Sequence, residues 1–468
     1  MEVKRTDHYS LGLKRQKCSE AGQIPFELLC DIIKAGDSRQ LRDKLSESIM
    51  PDLNIIDKSH GCTLLMKAAE EGQLDCVKVL LEFGALVDLP RTGTGEGDGE
   101  VYDDDWFHHS NAIYEATKKG HFDIVKLLLE TDPSARLNYP LCRPLYEACR
   151  QGHLELAKLL VEHGAELQDD LWDYGTNTLM EASKSGNAEL VEYLISKGAD
   201  VNYENEHNPH ALLTARRGRY LDVMEVLLKH GAYVDITEGR NVSYEENTCL
   251  NIACKRGDLE MIRLLLKYKA DMTAYNQGGH SPFTTAYTRG NKEAVDLFLE
   301  HGVDLNCNKS GYLYEKDGQW VPITDKWTPL MYACDRGDID MVKRLLAHGA
   351  DVNVMSQSGI GHPYYVTTAV VLSIDKEAIL QLLLDHGADL SLTDRRGNTA
   401  LLTLLTEREE AGPVYTPHIF NGVRMLLEHG LDVMHENNRG KTALDYVATG
   451  SEIEALLKEY VDRKPLLK

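Results

Sequence analysis

Eighteen histidines, ten cysteines and 74 acidic side chains are enough to build a metal centre or a nucleophile–base pair, so their spacing decides what chemistry this chain can do. Six of the histidines, His163, His230, His301, His348, His386 and His429, each stand directly before a glycine at the end of an apolar, helix-periodic run. Residues repeated on successive packed helices lie about 10 Å apart, too far to share one tetrahedral metal ion. The cysteines form no CxxC pair, and Cys149, Cys254 and Cys334 each follow an alanine at the same place in three similar segments. That pattern describes a small buried slot holding reduced thiols, as expected in the cytoplasm or the nucleus. HENNRGKT, His435 to Thr442, has histidine where a phosphate-binding P-loop needs its first glycine. The run GTGEGDG lacks dinucleotide-site spacing, and its acids would repel phosphate. Glu96, Asp98, Glu100, Asp103, Asp104 and Asp105 do not follow the EF-hand order and read as a solvated loop. No Ser/His/Asp or Cys/His set stands out, so the expectation is no active site and no cofactor.

Two other sets of side chains are better suited to recognition. Bases recur at the end of one helix type: Lys118 and Lys119, Arg150, Lys184, Arg216 and Arg217, Lys255 and Arg256, Arg289, and Arg336. A cation there complements the helix dipole, and Glu115, Glu147 and Glu181 precede Lys118, Arg150 and Lys184 by three residues, the spacing of a self-neutralised pair. In the next four segments that place holds Thr214, Ile252, Thr285 and Tyr332. The stretch from Arg216 to Arg336 therefore reads as a local basic groove. The four tryptophans, Trp106, Trp172, Trp320 and Trp327, fall in the connections between segments, with Tyr244, Tyr275, Tyr312 and Tyr314. Aromatic residues of this kind dominate interface hot spots. A net charge of −23 opposes nucleic acid and anionic membranes as main partners. The combination predicts a monomer that binds other proteins, with an acidic segment of the partner held against Arg216, Arg217, Lys255, Arg256, Arg289, Tyr332 and Arg336.

The elements that position these groups are clearest between Trp327 and Asn353. Thr328 caps a helix with Pro329 in its first turn, where proline costs no hydrogen bond, and Gly337 ends it. Ile339, Met341, Val342, Leu345 and Leu346 recur at helical spacing in a second helix that Gly349 terminates. With Ala333 as a ruler, the matching alanines are Ala68, Ala116, Ala148, Ala182, Ala215, Ala253 and Ala286. The gaps cluster near 33 residues, with surplus length in three of them, so one unit repeats with insertions in its connections. In the unit starting at His210, Gly218 arrives one residue early and leaves Arg219 where the turn glycine belongs, which predicts a strained or reshaped turn.

The fold class is therefore all-α: a solenoid of about 11 to 12 helix-turn-helix units with β-hairpin fingers. Residues 1–23 read as a disordered basic tail without a secretory signal, and 24–460 as the solenoid. Within it, 24–56 is an N-terminal capping repeat, 89–109 an acidic insertion, 308–326 an extended hairpin turning at Asp317-Gly318, 408–420 an insertion and 441–460 a C-terminal capping repeat, before a tail at 461–468. The segment TTAVVLSIDKEAILQLLLDHGADL lacks a turn glycine. No apolar run is long enough for membrane insertion.

Repeats of the form TxLMxAxxxGxxxxVxxLLxxGAxVN, seen in TLMKAA, TLMEAS and PLMYAC, closely resemble the ankyrin family over residues 24–460. The histidine usual after TPL is replaced by Met66, Tyr114, Tyr146, Met180 and Met331. The resemblance implies a curved stack of helix pairs used to hold other proteins and rarely catalytic, that is, a scaffold or adaptor. It also implies that Asn202, Asn306 and Asn353 are hydroxylation candidates, whereas turn geometry alone accounts for asparagine there. IPFELL near the N-terminus is similar to the start of an F-box, which opens a second reading: the substrate-recognition subunit of a ubiquitin ligase.

Overall fold

A computed structural model describes residues 24–47, 53–56, 61–89, 110–131, 142–167, 176–204, 210–237, 248–276, 280–306, 312–316, 319–323, 327–356, 367–409 and 417–463. The chain divides into two compact units, Met1–Ala232 and Tyr233–Lys468.

The first unit is a succession of helix pairs: α1 (Phe26–Lys34) with α2 (Ser38–Glu47), α3 (Leu64–Glu70) with α4 (Leu74–Glu82), α5 (Ala112–Lys118) with α6 (Phe122–Thr131), α7 (Cys142–Gln151) with α8 (Leu154–Glu162), α9 (Thr178–Ser185) with α10 (Ala188–Ser196), and α11 (Ala211–Gly218) with α12 (Leu221–Lys229). The second holds α13 (Cys249–Arg256) with α14 (Leu259–Lys267), α15 (Pro282–Thr288) with α16 (Lys292–Glu300), α17 (Pro329–Arg336) with α18 (Ile339–Ala347), a 3₁₀ turn at Val371–Ser373 before α19 (Glu377–Asp385), α20 (Ala400–Glu409) with α21 (Pro417–Glu428), and α22 (Ala443–Tyr446) with α23 (Glu452–Arg463).

Local chemistry fixes each pair. Thr63, Asn111, Asn177, Thr248, Ser281 and Thr328 accept the third backbone N–H of the helix that follows, which satisfies a donor every helix start leaves open. The ruler alanines and the slot after them are fully buried, including Cys149, Cys254 and Cys334. Small side chains let the first helices of neighbouring repeats approach closely. At the far end of the second helix, the Nδ1 atoms of His163, His301, His348, His386 and His429 lie 2.7–2.8 Å from the carbonyl four residues earlier. These histidines are C-terminal caps, which is why they recur.

Successive repeats are stapled by the finger asparagines. Asn306 donates to the Gly349 carbonyl and accepts from the Asp351 amide, and Asn353 repeats this with Gly387 and Asp389. Within the first unit Asn202 donates to the Gly231 carbonyl.

Two turns depart from the glycine rule. Arg219 takes the left-handed conformation at φ 57° and ψ 35° that Gly337 takes at φ 72°. The early glycine has its own cause: a Cβ on Gly218 would stand 2.2 Å from the Tyr220 ring, which also lies against Gly186. Lys269 holds φ 63° at the end of α14, where α4, α8, α10, α12, α16, α18, α19 and α21 are each closed by a left-handed glycine. In the repeat without a turn glycine, the first helix shrinks to the 3₁₀ turn at Val371–Ser373, capped at the Val371 amide by Thr368.

Tyr312–Lys316 and Gln319–Ile323 form strands β1 and β2, paired antiparallel with Tyr314 opposite Val321. Isolated bridges join Thr237 to Thr248 and Ser356 to Thr367. The insertion expected at 408–420 is narrower than read, since helix α20 runs to Glu409 and α21 begins at Pro417. Residues 1–23, the 89–109 insertion apart from its first residue, and 464–468 lie outside the described residues. No helix among those described is long and apolar enough to cross a membrane.

Candidate functional site

Measured from the buried alanine of each repeat, the cations fall on two ladders rather than one. In the first unit the cations Lys118, Arg150, Lys184 and Arg217 stand two residues after the alanine, and Lys119 alone stands three after it, directly before Gly120. In the second unit Arg256, Arg289 and Arg336 stand three residues after it, directly before Gly257, Gly290 and Gly337, with Lys255 on the earlier rung.

Arg216 belongs to neither ladder, which corrects its assignment to the groove. It occupies the slot of Cys149, Ser183 and Cys254, and only 3% of its surface is exposed. The early Gly218 shifted its apparent register by one residue. Arg217, its neighbour, is exposed, and both lie in the first unit.

The ladder of the first unit is self-neutralised at its centre. Glu147, 3% exposed, accepts from Arg150 Nε at 3.0 Å and Nη2 at 2.7 Å, and from Gln151 Nε2 at 2.9 Å. Burial alone would raise its pKa, but these hydrogen bonds hold the carboxyl below its ordinary range. Glu181, equally buried, has Lys184 Nζ at 3.9 Å, and Glu115 accepts from the Ser110 hydroxyl. In the repeat before these the polarity is reversed: Lys67 sits in the glutamate position and pairs with Glu70 at 3.0 Å and Glu71 at 2.9 Å.

The second unit replaces the glutamate with Ile252, Thr285 and Tyr332. Arg256 and Arg289 are exposed and make no ion pair among the described residues. Arg336 is exposed and held from beneath, its guanidinium 5.3 Å from the Tyr287 ring centroid and its Nη2 donating to the Thr288 carbonyl at 3.4 Å. The Tyr287 hydroxyl in turn donates to Asp338 Oδ2 at 3.1 Å, and burial together with that carboxylate pushes its pKa far up, so it stays a donor. Asp338 also caps α18 through the Met341 amide, which ties the arginine's platform to the helix frame.

Beside this arginine lies an aromatic cluster. Tyr332 meets Trp327 edge-on, with centroids 5.3 Å apart, and His280 at 5.4 Å, and all three are half-buried. Sequence reasoning singled out Trp327 and Tyr332 but missed His280. It stands 52 residues before Tyr332, one position ahead of the Ser281 cap, and no periodicity marks it. Tyr275 is half-buried in the connection that follows α14. Trp172 and Tyr244 lie outside the described residues, and of Tyr312, Tyr314 and Trp320 the described part is the backbone of the two strands.

The phosphate-loop likeness of HENNRGKT has a different use. The amides of Arg439 and Lys441 both donate to Asn437 Oδ1, and that of Thr442 donates to Asp445, so they serve a turn and a helix cap. Among the described residues no group of three or more His, Cys, Asp and Glu side chains could hold a metal ion.

Stacked helix pairs with capped ends, a buried alanine ladder and side-chain staples define a repeat-solenoid class of protein. A model of ankyrin repeats matches overlapping stretches from residue 29 to 394, namely 29–141, 94–171, 113–205, 145–238, 211–309, 250–356 and 309–394. The chain belongs to the ankyrin-repeat family, whose repeats generally mediate protein–protein interaction. It is 26% identical over 193 residues to the human transient receptor potential cation channel subfamily A member 1, covering 41% of this chain and 16% of the channel subunit. It is 27% identical over 191 residues to the putative ankyrin repeat protein YahD of Escherichia coli, covering 40% of this chain and 72% of that protein. Human ankyrin repeat and SOCS box protein 6 is 30% identical over 158 residues, 34% of each chain. The crystal structure of the human ASB11 ankyrin repeat domain is 25% identical, with a TM-score of 0.39, covering 50% of this chain and 96% of that domain.

Proposed function

We propose that this protein is a non-enzymatic scaffold or adaptor whose second unit holds an acidic segment of a partner protein on the face that carries Lys255, Arg256, Arg289 and Arg336, with Trp327 and Tyr332 as apolar anchors. The connections between repeats are read as hairpin fingers beside that face, Tyr275, Tyr312, Tyr314 and Trp320 among them. The observation that carries the reading is the change at one repeat position. Where the first unit buries a glutamate against its own cation, the second has Ile252, Thr285 and Tyr332, and its arginines turn to solvent.

Charge reversal of Arg256, Arg289 and Arg336 to glutamate should weaken partner capture and reduce its salt dependence, while the far-ultraviolet circular dichroism stays unchanged. Affinity capture with mass spectrometry, run on native and reversed protein side by side, reads this directly. An identical set of captured proteins removes the proposal. Arg217→Glu, in the other unit, tests separately whether that base takes part.

A substrate-recognition subunit of a ubiquitin ligase is the second reading, and the match to a SOCS-box protein is the observation that favours it. Co-purification with a cullin or a Skp1-type adaptor would put it first.

A further inference from the structure

Arg256, Arg289 and Arg336 occupy one structural position in three successive repeats of the second unit, each directly before a turn glycine. Their helices are joined laterally. The Thr285 hydroxyl donates to Asn251 Oδ1 at 3.3 Å between α15 and α13, and Arg336 reaches Tyr287 and Thr288 between α17 and α15. Helices in such contact have axes about 8–10 Å apart, so the three helix positions that carry the arginines recur at about that spacing.

The row sets a register for whatever lies along it. A polyproline II helix rises 3.1 Å per residue with three residues per turn, so every third side chain returns to the same face after about 9 Å. A β-strand advances about 10 Å over three residues as well, but its third side chain points to the opposite face. One turn before each arginine lie Ile252, Thr285 and Tyr332, a floor that is apolar at both ends and continues into Trp327 and His280. Proline-rich segments dock against aromatic floors of this kind. The arginine end is also prepared: the Tyr287 ring and the Thr288 carbonyl hold the exposed Arg336 guanidinium, which can present further N–H donors to a carboxylate.

We propose that the partner segment docks as a polyproline II helix whose carboxylates, placed at every third residue, meet Arg256, Arg289 and Arg336 in turn. The proposal rests on the basic-face reading above and gives it a conformation and a spacing.

The test uses the full chain and three fluorescein-labelled peptides of equal charge. The first carries glutamate at every third residue between prolines. The second has the same composition with its glutamates contiguous, and the third is an alanine-rich helix with glutamate at every seventh residue, which returns after about 10 Å. Anisotropy titrations at low salt should show the first binding roughly tenfold more tightly than the other two. Arg289→Gln should abolish that preference while leaving the circular dichroism of the protein unchanged. Equal affinities, or a tighter helical peptide, overturn the polyproline register and leave the basic face standing. Failure of all three to bind overturns the basic face as well. A phosphoserine peptide in the same register that binds where the glutamate peptide does not overturns the assignment to carboxylates.

Discussion

Gly422 offers the sharpest test of the packing, because two physical effects predict opposite signs for its replacement by alanine. It is buried inside helix α21, and exchanging an interior helical glycine for alanine ordinarily stabilises by about 1 kcal/mol. At this site an added Cβ would stand 1.8 Å from the Ile374 carbonyl oxygen and 2.8 Å from its carbon. A comfortable carbon–oxygen approach is about 3.3 Å, so roughly 1.5 Å must come from moving one backbone away from another. No rotamer change can supply that. Overpacking of this kind costs about 1–3 kcal/mol, and a backbone obstacle belongs at the upper end. After the propensity gain is subtracted, Gly422→Ala should lose about 2 kcal/mol. Urea unfolding followed by circular dichroism would show a lower midpoint with an unchanged slope. A midpoint equal to or above that of the native protein would refute the contact and the account of the 3₁₀ turn that presents Ile374.

Three further outcomes are expected. Lys269→Gly should raise stability by about 1 kcal/mol, since a non-glycine residue at φ 63° carries a cost of that order; thermal unfolding of native and variant protein measures it. His210 is 4% exposed at the start of α11, and burial lowers its pKa from the ordinary 6.5 against a smaller opposing effect of Glu204. The unfolded chain therefore takes up the proton first, so stability should fall as pH drops through about 6.5 and level off below the folded value. His210→Asn, which matches the Asn111 and Asn177 caps, should flatten that part of the midpoint-against-pH curve. The thiols of Cys149, Cys254 and Cys334 are buried, and burial pushes their pKa upward, that of Cys334 to about 11. At pH 8 iodoacetamide should leave all three unmodified until urea unfolds the chain, as intact-mass measurement would show.

Much of the fold was legible because its determinants are local. Thr328, Pro329, Gly337 and Gly349 act within one turn of themselves, and the structure uses each as read. What escaped was set by neighbours in space. Lys269 sits in a glycine conformation with no sequence sign beyond a missing glycine. Gly422 looks like an ordinary helix residue until Ile374 is brought against it. His280 joins Tyr332 only through the packing of successive repeats. The assignment of Arg216 to the basic ladder failed for a related reason. Counting back from Gly218 puts both arginines at the helix end, whereas the Tyr220 ring is what moved that glycine. Charge reversal at Arg216 would therefore test folding, because an uncompensated charge at a position 3% exposed costs about 3–5 kcal/mol.

The ladders also show how one repeat position can serve two ends. A buried carboxylate is tolerable only if hydrogen bonds and a cation satisfy it, so Glu147 commits Arg150 and Gln151 to itself. Lys67 makes the same point with the charges exchanged, since it draws Glu70 and Glu71 inward. Once the inner residue is Ile252, Thr285 or Tyr332, no buried charge asks for a partner, and the cation on the following turn is released from that structural duty. Moving the cation one residue later, to the place directly before the turn glycine, carries it further from the ruler alanine. Three successive repeats of the second unit combine both changes, while the helix starts at Asn111, Asn177, Thr248, Ser281 and Thr328 are capped alike and the ruler alanine is buried in both units. Features that the fold does not require, repeated in register three times, are those on which recognition can act.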